Sequence, residues 1–296
     1  MKTINNICSI AKEKENFNSL DSYIDFCRLY SEFIADSKNY EARITSQNEH
    51  NYKFYQYKEE GFYNITRPIN SNLFLSVENI EKALCFFKYI LKEKEVLKNL
   101  NQDERFLLNA TIYTIQQSIG CALDALPASE NNTAKKINGD LFERLMLLIF
   151  KELKFQVDSC VEKISFDGFK MTYQHDLKFT IEGKTKAIGS VKTSSKDRID
   201  KVFTDKLFYN KLKNVDIPHF AIFLNDVQRK GKEPHYGISQ TFLRGHFKAY
   251  TLVMNPLDGV YYCDLRPIMQ TDPKLRKEIK RLDHLICKDI WTIVQK

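Results

Sequence analysis

The stretch from Met171 to Asp226 constrains the fold more than any other. In "MTYQHDLKFTI" apolar and polar side chains alternate, the pattern of a strand with one buried face. Met171, Tyr173, Leu177, Phe179 and Ile181 fall on one side and Asp176 on the other. "EGKT" supplies a turn, and "KAIGSVKT" reads as a second strand whose small residues leave room for a close neighbour. Ile199, Val202, Phe203 and Leu207 then mark the buried stripe of a helix running to about Lys213, with Ser194 and Ser195 as N-caps. "IPHFAIFLND", residues 217 to 226, is apolar enough for a central strand.

The hairpin can be given a register. If Gly183, Lys184 and Thr185 form a three-residue loop, Glu182 faces Lys186 and Asp176 lies directly opposite Lys192. Directly opposed residues share a face, with Cβ atoms ~5 Å apart. One reading of such a pair is a cross-strand salt bridge, worth less than ~1 kcal/mol at a surface. The other is a polar site, favoured by the residues after Lys192: hydroxyls, then Asp197 and Arg198, then Asp200 and Asp205 on the next helix.

Ahead of the hairpin, "GDLFERLMLLIFKELKF" repeats Leu141, Phe142, Leu145, Leu148, Ile149 and Leu153 at helical spacing. Asn138 or Asp140 is placed to cap its start, and Glu143 falls in its first turn. The resulting order of helix, strand, hairpin strand, helix and strand describes an α/β core. Residues 1 to about 125 read as helical apart from 40 to 75, a Tyr- and Asn-rich stretch whose aromatics suit packing or stacking on nucleic acid. "FLLNATIYTIQQSIGCALDAL" looks like a buried helix, and "PASENNTAKKING", residues 127 to 139, has a linker's composition. The expected division is therefore a helical N-terminal region, residues 1 to 126, and a second domain, residues 127 to 296.

Beyond the core, Arg229, Lys230, Lys232, Arg244 and Lys248 gather in one segment that suits either phosphate contacts or a solvated loop. "YTLVMNPLDGVYYCD" reads as a hairpin about a Pro-Leu-Asp-Gly turn that extends or covers the sheet. Leu275, Ile279, Leu282, Ile286 and Ile290 form one helical stripe, either core or dimer contact.

Composition excludes other classes. The 296 residues are 43% hydrophobic and 28% charged, ordinary values for a folded chain. A net charge of +7 permits a polyanionic partner without requiring one. Seven scattered cysteines with no C-x-x-C pair suit a reduced, cytoplasmic protein, and the six histidines have no zinc-binding spacing. No apolar run approaches the roughly 18 residues of a membrane helix, and the N-terminus has too short an apolar stretch for a secretory signal.

A helix carrying Glu143, Asp176 on one strand and Lys192 ending the neighbouring strand resemble the PD-(D/E)XK nucleases, type II restriction endonucleases above all, over residues 137 to 226. The resemblance implies an α/β fold: a central mixed β-sheet flanked by helices, with the helical N-terminal region added to it. His175 replaces the family's Pro, and Ser190 stands where its second acid is usual. The branch that cuts CCGG- and CCNGG-type sites has a similar non-acidic residue there and supplies the second carboxylate from the following helix. Asp205 matches that place, thirteen residues beyond Lys192. The branch normally has Glu, one methylene longer, so Glu143 stays open as a substitute or additional ligand.

What the resemblance implies is Mg²⁺ held by Asp176 with Asp205 or Glu143, and Lys192 orienting or deprotonating the attacking water. Lys196, Asp197 and Arg198, read as the first turn of the helix after Lys192, match the basic-acid-Arg arrangement with which the branch reads G·C pairs. Arg229, Lys230 and Arg244 would contact phosphates, residues 127 to 296 would form the catalytic domain, and residues 1 to 126 would serve DNA binding, dimerisation or both. The implied partners are double-stranded DNA, a second copy of the chain and a cognate DNA methyltransferase that forms no stable complex. A repair or junction-resolving nuclease of the same fold, or a catalytically silent DNA-binding protein, are the other readings.

Overall fold

The computed structural model describes residues 3–58, 65–196, 198–232 and 234–295. Helix α1 (Ile4–Lys12) starts at Thr3, whose hydroxyl accepts from Asn6 N, and buries Ile4, Ile7, Cys8 and Ala11. Helix α2 (Leu20–Ala35) begins with a reciprocal cap between Ser19 and Ser22. The stretch that breaks the helical pattern is a sheet: β1 (Tyr40–Thr45), β2 (Tyr52–Tyr57) and β3 (Ile69–Asn70) pair antiparallel in that order. Then come α3 (Val77–Lys92), α4 (Lys94–Lys98) and α5 (Gln102–Leu123), the last buried from Leu108 to its end.

Helix α6 (Asn131–Glu152) begins inside the expected linker. Residues 131 to 139 contain no Pro, and the single Gly139 costs a helix only about 1 kcal/mol, so the helix runs through them. Neither expected cap acts as one. Asn138 is buried, and its side-chain oxygen accepts from Gln116 Nε2 at 2.9 Å; Asp140 pairs with Lys14 at 2.9 Å. Glu143 therefore lies in the middle of α6, not its first turn.

Next follow β4 (Val157–Phe166), unforeseen from sequence, β5 (Phe169–Ile181), β6 (Lys184–Ser194), helix α7 (Ile199–Lys213) and β7 (His219–Asn225), whose residues are all buried. Ser194 and Ser195 do not cap α7. Ser194 ends β6 and its hydroxyl accepts from Lys196 N, while Arg198 holds the N-cap position without a side-chain bond. The basic segment read as a possible solvated loop forms a hairpin, β8 (Val227–Lys232) and β9 (His235–Gln240).

The expected hairpin near residue 256 is absent. Its first arm belongs to helix α8 (Arg244–Val253), and β10 (Gly259–Tyr262) instead pairs parallel to β7. The last apolar stripe is broken as well, into α9 (Pro267–Thr271), α10 (Pro273–Glu278), β11 (Ile279–Arg281), α11 (Leu282–His284), a π turn over Leu285–Asp289 and α12 (Ile290–Ile293). Ile279 pairs with Val260 in the sheet, and all five stripe residues are at most 1% exposed, which makes them core.

The chain divides into two compact units. One comprises Met1–Ile90, Phe106–Leu145 and Val227–Gln240. In it the β8–β9 hairpin packs Val227 and Ile238 against Tyr52 and Phe54, and Asn48 bonds both the N–H and the carbonyl of Ile238. The other comprises Leu91–Arg105, Met146–Asp226 and Thr241–Lys296. It holds a six-stranded mixed sheet in the order β11-β10-β7-β6-β5-β4, flanked by helices.

Two clusters cover the two faces of this sheet. Leu177 and Phe179 lie with Phe220 and Phe150 on one side, Phe179 meeting Phe150 edge-on at 5.2 Å. Ile164, Tyr173 and Ile188 lie with Tyr209 of α7 on the other. The small residue expected to admit a neighbour is Gly189, where an added Cβ would come within 2.6 Å of the Phe220 ring and 3.2 Å of Leu177. Gly189→Ala is expected to destabilise the protein by about 1–3 kcal/mol through overpacking, read from urea unfolding, with a smaller loss in the Phe220→Leu background.

Candidate active site

The site is built by the hairpin. Glu182 (φ 50°) and Gly183 (φ 73°) form a two-residue turn between Ile181 and Lys184, so the three-residue loop is wrong by one residue. Continued unbroken, that turn would put Lys192 on the face opposite Asp176. It is broken by a bulge: Phe179 pairs with Ala187 but Thr180 with Thr185, leaving Lys186 extra. From there Leu177 pairs with Gly189, so Asp176 stands diagonal to Lys192, not directly opposite it. The expected register is off by two, an even slip, which keeps both residues on one face.

A second bulge turns more groups to that face. Between His175 and Lys178, β5 carries two residues against the single Ser159 of β4. Past it, Tyr173 packs with Ile188 and Tyr209, and so leaves the side that Leu177 and Phe179 share. The sequence alternation placed Tyr173 with Leu177 because one extra residue inside a strand is invisible to a period-two pattern.

Asp176 is 7% exposed. Its Oδ2 accepts from Val191 N at 2.8 Å and from Lys192 Nζ, taking a backbone donor at the point where the β5–β6 ladder stops. Parallel pairing sets Ile188 beside His219, Ser190 beside Ala221 and Lys192 beside Phe223. A small pocket of about 10 Å³, room for about one water, is lined by Tyr173, Gln174, His175, Asp176, Ile188, Ser190, Asp205 and His219. Asp205 reaches it from α7, between the two apolar anchors of that helix: Ile199, Val202 and Phe203 on one side, Tyr209 and Leu212 on the other.

The electrostatics follow from burial. The Asp205 carboxyl is held above the usual carboxylate range, by desolvation first and by the Asp176 charge as well, against the pull of Lys201 and Lys192. Burial also pushes His219 down to about 4, and its Nδ1–H donates to Ile217 O at 2.9 Å. His175, lowered by burial, stacks on Tyr173 and stands 3.4 Å from Glu162, which Lys178 and Lys213 also contact. Burial favours the neutral form of both imidazoles. Among the described residues no cluster of three or more His, Cys, Asp and Glu could hold a metal. The pair of carboxylates supplies the oxygen ligands that a hard cation prefers.

Thus Asp176, Lys192 and Asp205 come together. Glu143 is half-buried on α6 in the other unit. Lys196 and Arg198 are exposed in the turn before α7, ahead of its first helical turn, and Asp197 lies outside the described residues. Arg229 and Lys230 are exposed on β8, Arg229 stacking over Tyr236 and donating to Ile65 O, and Arg244 is exposed at the start of α8. His219 and Gln174 went unnoticed in the sequence. His219 enters only because β7 pairs parallel to β6.

Three comparisons bear on this arrangement. The structure is similar to the crystal structure of the Type IIP restriction endonuclease Kpn2I, with a TM-score of 0.74 covering 100% of this chain and 98% of that one, at 14% sequence identity. The fold is that of a restriction endonuclease. No family model matches the chain, and no curated protein matches its sequence. Among the described residues no helix is long and apolar enough to cross a membrane.

The raised Asp205 carboxyl predicts a stability effect. Its folded-state value lies above its unfolded one, so its ionisation costs stability at pH above the folded value, and the cost disappears as pH falls through both. Asp205→Asn should therefore raise the melting midpoint of the metal-free protein at pH 7 by on the order of 2 °C. The gain should vanish below the ordinary Asp value of ~3.9. Melting curves in EDTA across pH would check this.

Proposed function

We propose that this chain is a Mg²⁺-dependent type II restriction endonuclease that cleaves both strands of DNA at a palindrome containing CC/GG, as a homodimer. The observation that carries the reading is the contact of Lys192 Nζ, at the end of a central strand, with Asp176, which shares a small pocket with the half-buried Asp205. The likeness to Kpn2I, itself a restriction endonuclease, supports it. Mg²⁺ would neutralise the scissile phosphate and acidify a bound water.

Asp176 and Asp205 would hold the cation, with Glu143 as the alternative or additional ligand. Lys192, its ammonium already at Asp176, would orient the water and stabilise charge gathering on the pentacoordinate phosphate. The water oxygen would bond to phosphorus as the bond to the 3′ oxygen breaks, leaving a 5′-phosphate and a 3′-hydroxyl. Two copies related by a twofold axis would cut both strands of a palindrome. A cognate methyltransferase acting separately would protect the host's own sites. Ser190, in place of an acid, favours a silent DNA-binding protein; Asp205 in the same pocket weighs against that.

With plasmid DNA and Mg²⁺ the protein should give fixed bands, and sequencing their ends would define the site. A general or structure-selective nuclease would give none that are fixed, and a binder would leave the DNA intact. Asp176→Ala and Lys192→Ala should each slow cleavage by at least ~100-fold. Asp205→Asn should be similarly severe, whereas Asp200→Asn, at an exposed position on α7, should be mild. Either of the first two variants cleaving within about tenfold of wild type would defeat the assignment. Glu143→Gln dead beside an active Asp205→Asn would move the second ligand to α6.

Recognition would fall to Lys196, Asp197 and Arg198 beside the scissile phosphate, with Arg229, Lys230 and Arg244 on the backbone. Arg198→Ala should lose roughly 1–3 kcal/mol of discrimination while keeping salt-sensitive nonspecific binding, read by gel shift against cognate and scrambled duplexes. A mapped site without a GG dinucleotide would refute the CC/GG element.

A further inference from the structure

A cavity of about 370 Å³ opens in the first unit, lined by no residue of the candidate active site. Its volume falls within the range of pockets for small molecules and is far too small to enclose a duplex. The β1–β2 ladder builds one wall. Arg43 pairs with Tyr55 and Thr45 with Lys53, so period-two pleating sets Arg43, Lys53 and Tyr55 on one face of the sheet. The Arg43 guanidinium stands 5.8 Å from the Tyr55 ring centroid, and Tyr40 meets Tyr55 edge-on at 5.3 Å. Ile34, Ile69, Phe74 and Leu75 supply apolar lining.

The charges here are unbalanced. Among the described residues neither Arg43 nor Lys53 forms an ion pair, and burial, then Arg43, pushes the Lys53 amine down. The exposed Arg43 and the half-buried Lys53 thus stand side by side with no ion-pair partner, an arrangement that favours an anion between them. Glu78 also lines the cavity, but Ser76 and its own backbone N–H hold its carboxylate at the start of α3. Ser31, 2% exposed, lines the cavity with a hydroxyl that makes no well-formed hydrogen bond, its weak contact being to the Cys27 thiol. The wall thus offers two cations, two aromatic rings, an apolar slot and a spare hydroxyl.

We propose that this cavity binds a single nucleotide, its base against Tyr40 and Tyr55 and its phosphate on Arg43 and Lys53. Aromatic faces suit any base, and paired cations suit a phosphate oxygen set. The same chemistry is presented by a free nucleoside monophosphate and by a terminal unpaired nucleotide of a DNA strand. The site does not depend on the nuclease reading.

Calorimetric titration of the full chain in EDTA tests it, with the four deoxynucleoside 5′-monophosphates, deoxyadenosine, inorganic phosphate, and a duplex with a one-nucleotide overhang against its blunt form. Saturable binding of a monophosphate, or of the overhang above the blunt duplex, is expected; the first names the free species and the second the DNA end. Deoxyadenosine and phosphate alone should bind at least about tenfold more weakly, as each lacks half of the contacts. Lys53→Gln and Tyr55→Leu should each weaken binding by about tenfold or more with unchanged melting curves, while Lys53→Arg retains it. No saturable binding to either source, or wild-type affinity in Lys53→Gln, would overturn the proposal.

Discussion

One extra residue in a strand governs the site. The turn at Glu182 and Gly183 is the tightest that joins two antiparallel strands, and it fixes which residues of β6 meet which of β5. Left alone it would send Lys192 to the Phe220 side of the sheet. The bulge at Lys186 advances β6 by one residue, so Ile188, Ser190 and Lys192 turn toward α7, and Gly189 faces Phe220, where only a hydrogen fits. The bulge on β5 then adds His175 and Tyr173 to the same side. Neither strand could slip by one residue without reversing every buried side chain, so the polar contact is held by apolar packing.

That packing explains how two acids tolerate one pocket. Clusters around Phe203 and around Tyr209 clamp α7 at both ends of the segment that carries Asp205, which holds the half-buried carboxyl at the pocket. The Lys192 ammonium at Asp176 offsets one charge. The raised carboxyl of Asp205 is the remainder: a group waiting for a proton or a cation. Neutral His175 and His219 beside it add no positive charge to relieve it.

Legibility varied with the physical signal. The β5, β6, α7 and β7 succession was readable because each element carries its own period, and so was the buried α5. Even the false register kept Asp176 and Lys192 together, since an error of two residues preserves the face. Errors came where a pattern is degenerate. Stripe residues such as Leu275 and Ile279 are equally buried in a helix or a short strand. Residues 127 to 139 have a loop's composition but no helix breaker after Asn131. Ser194 and Ser195 are good caps in isolation, yet β6 claims the first of them for its pairing with Asn225.

The sequence by itself determined which chemical groups are available and on which local elements they ride: an aspartate within a strand, a lysine at the end of the next, an acid on the following helix. Those follow from side-chain period and turn chemistry, which act over a few residues. Tertiary structure alone decided that Asp205 approaches Asp176, that His219 joins them, and that the basic hairpin β8–β9 belongs with the N-terminal sheet. Each depends on a parallel pairing or a packing contact between residues distant in the chain, and such contacts leave no periodic mark in the sequence.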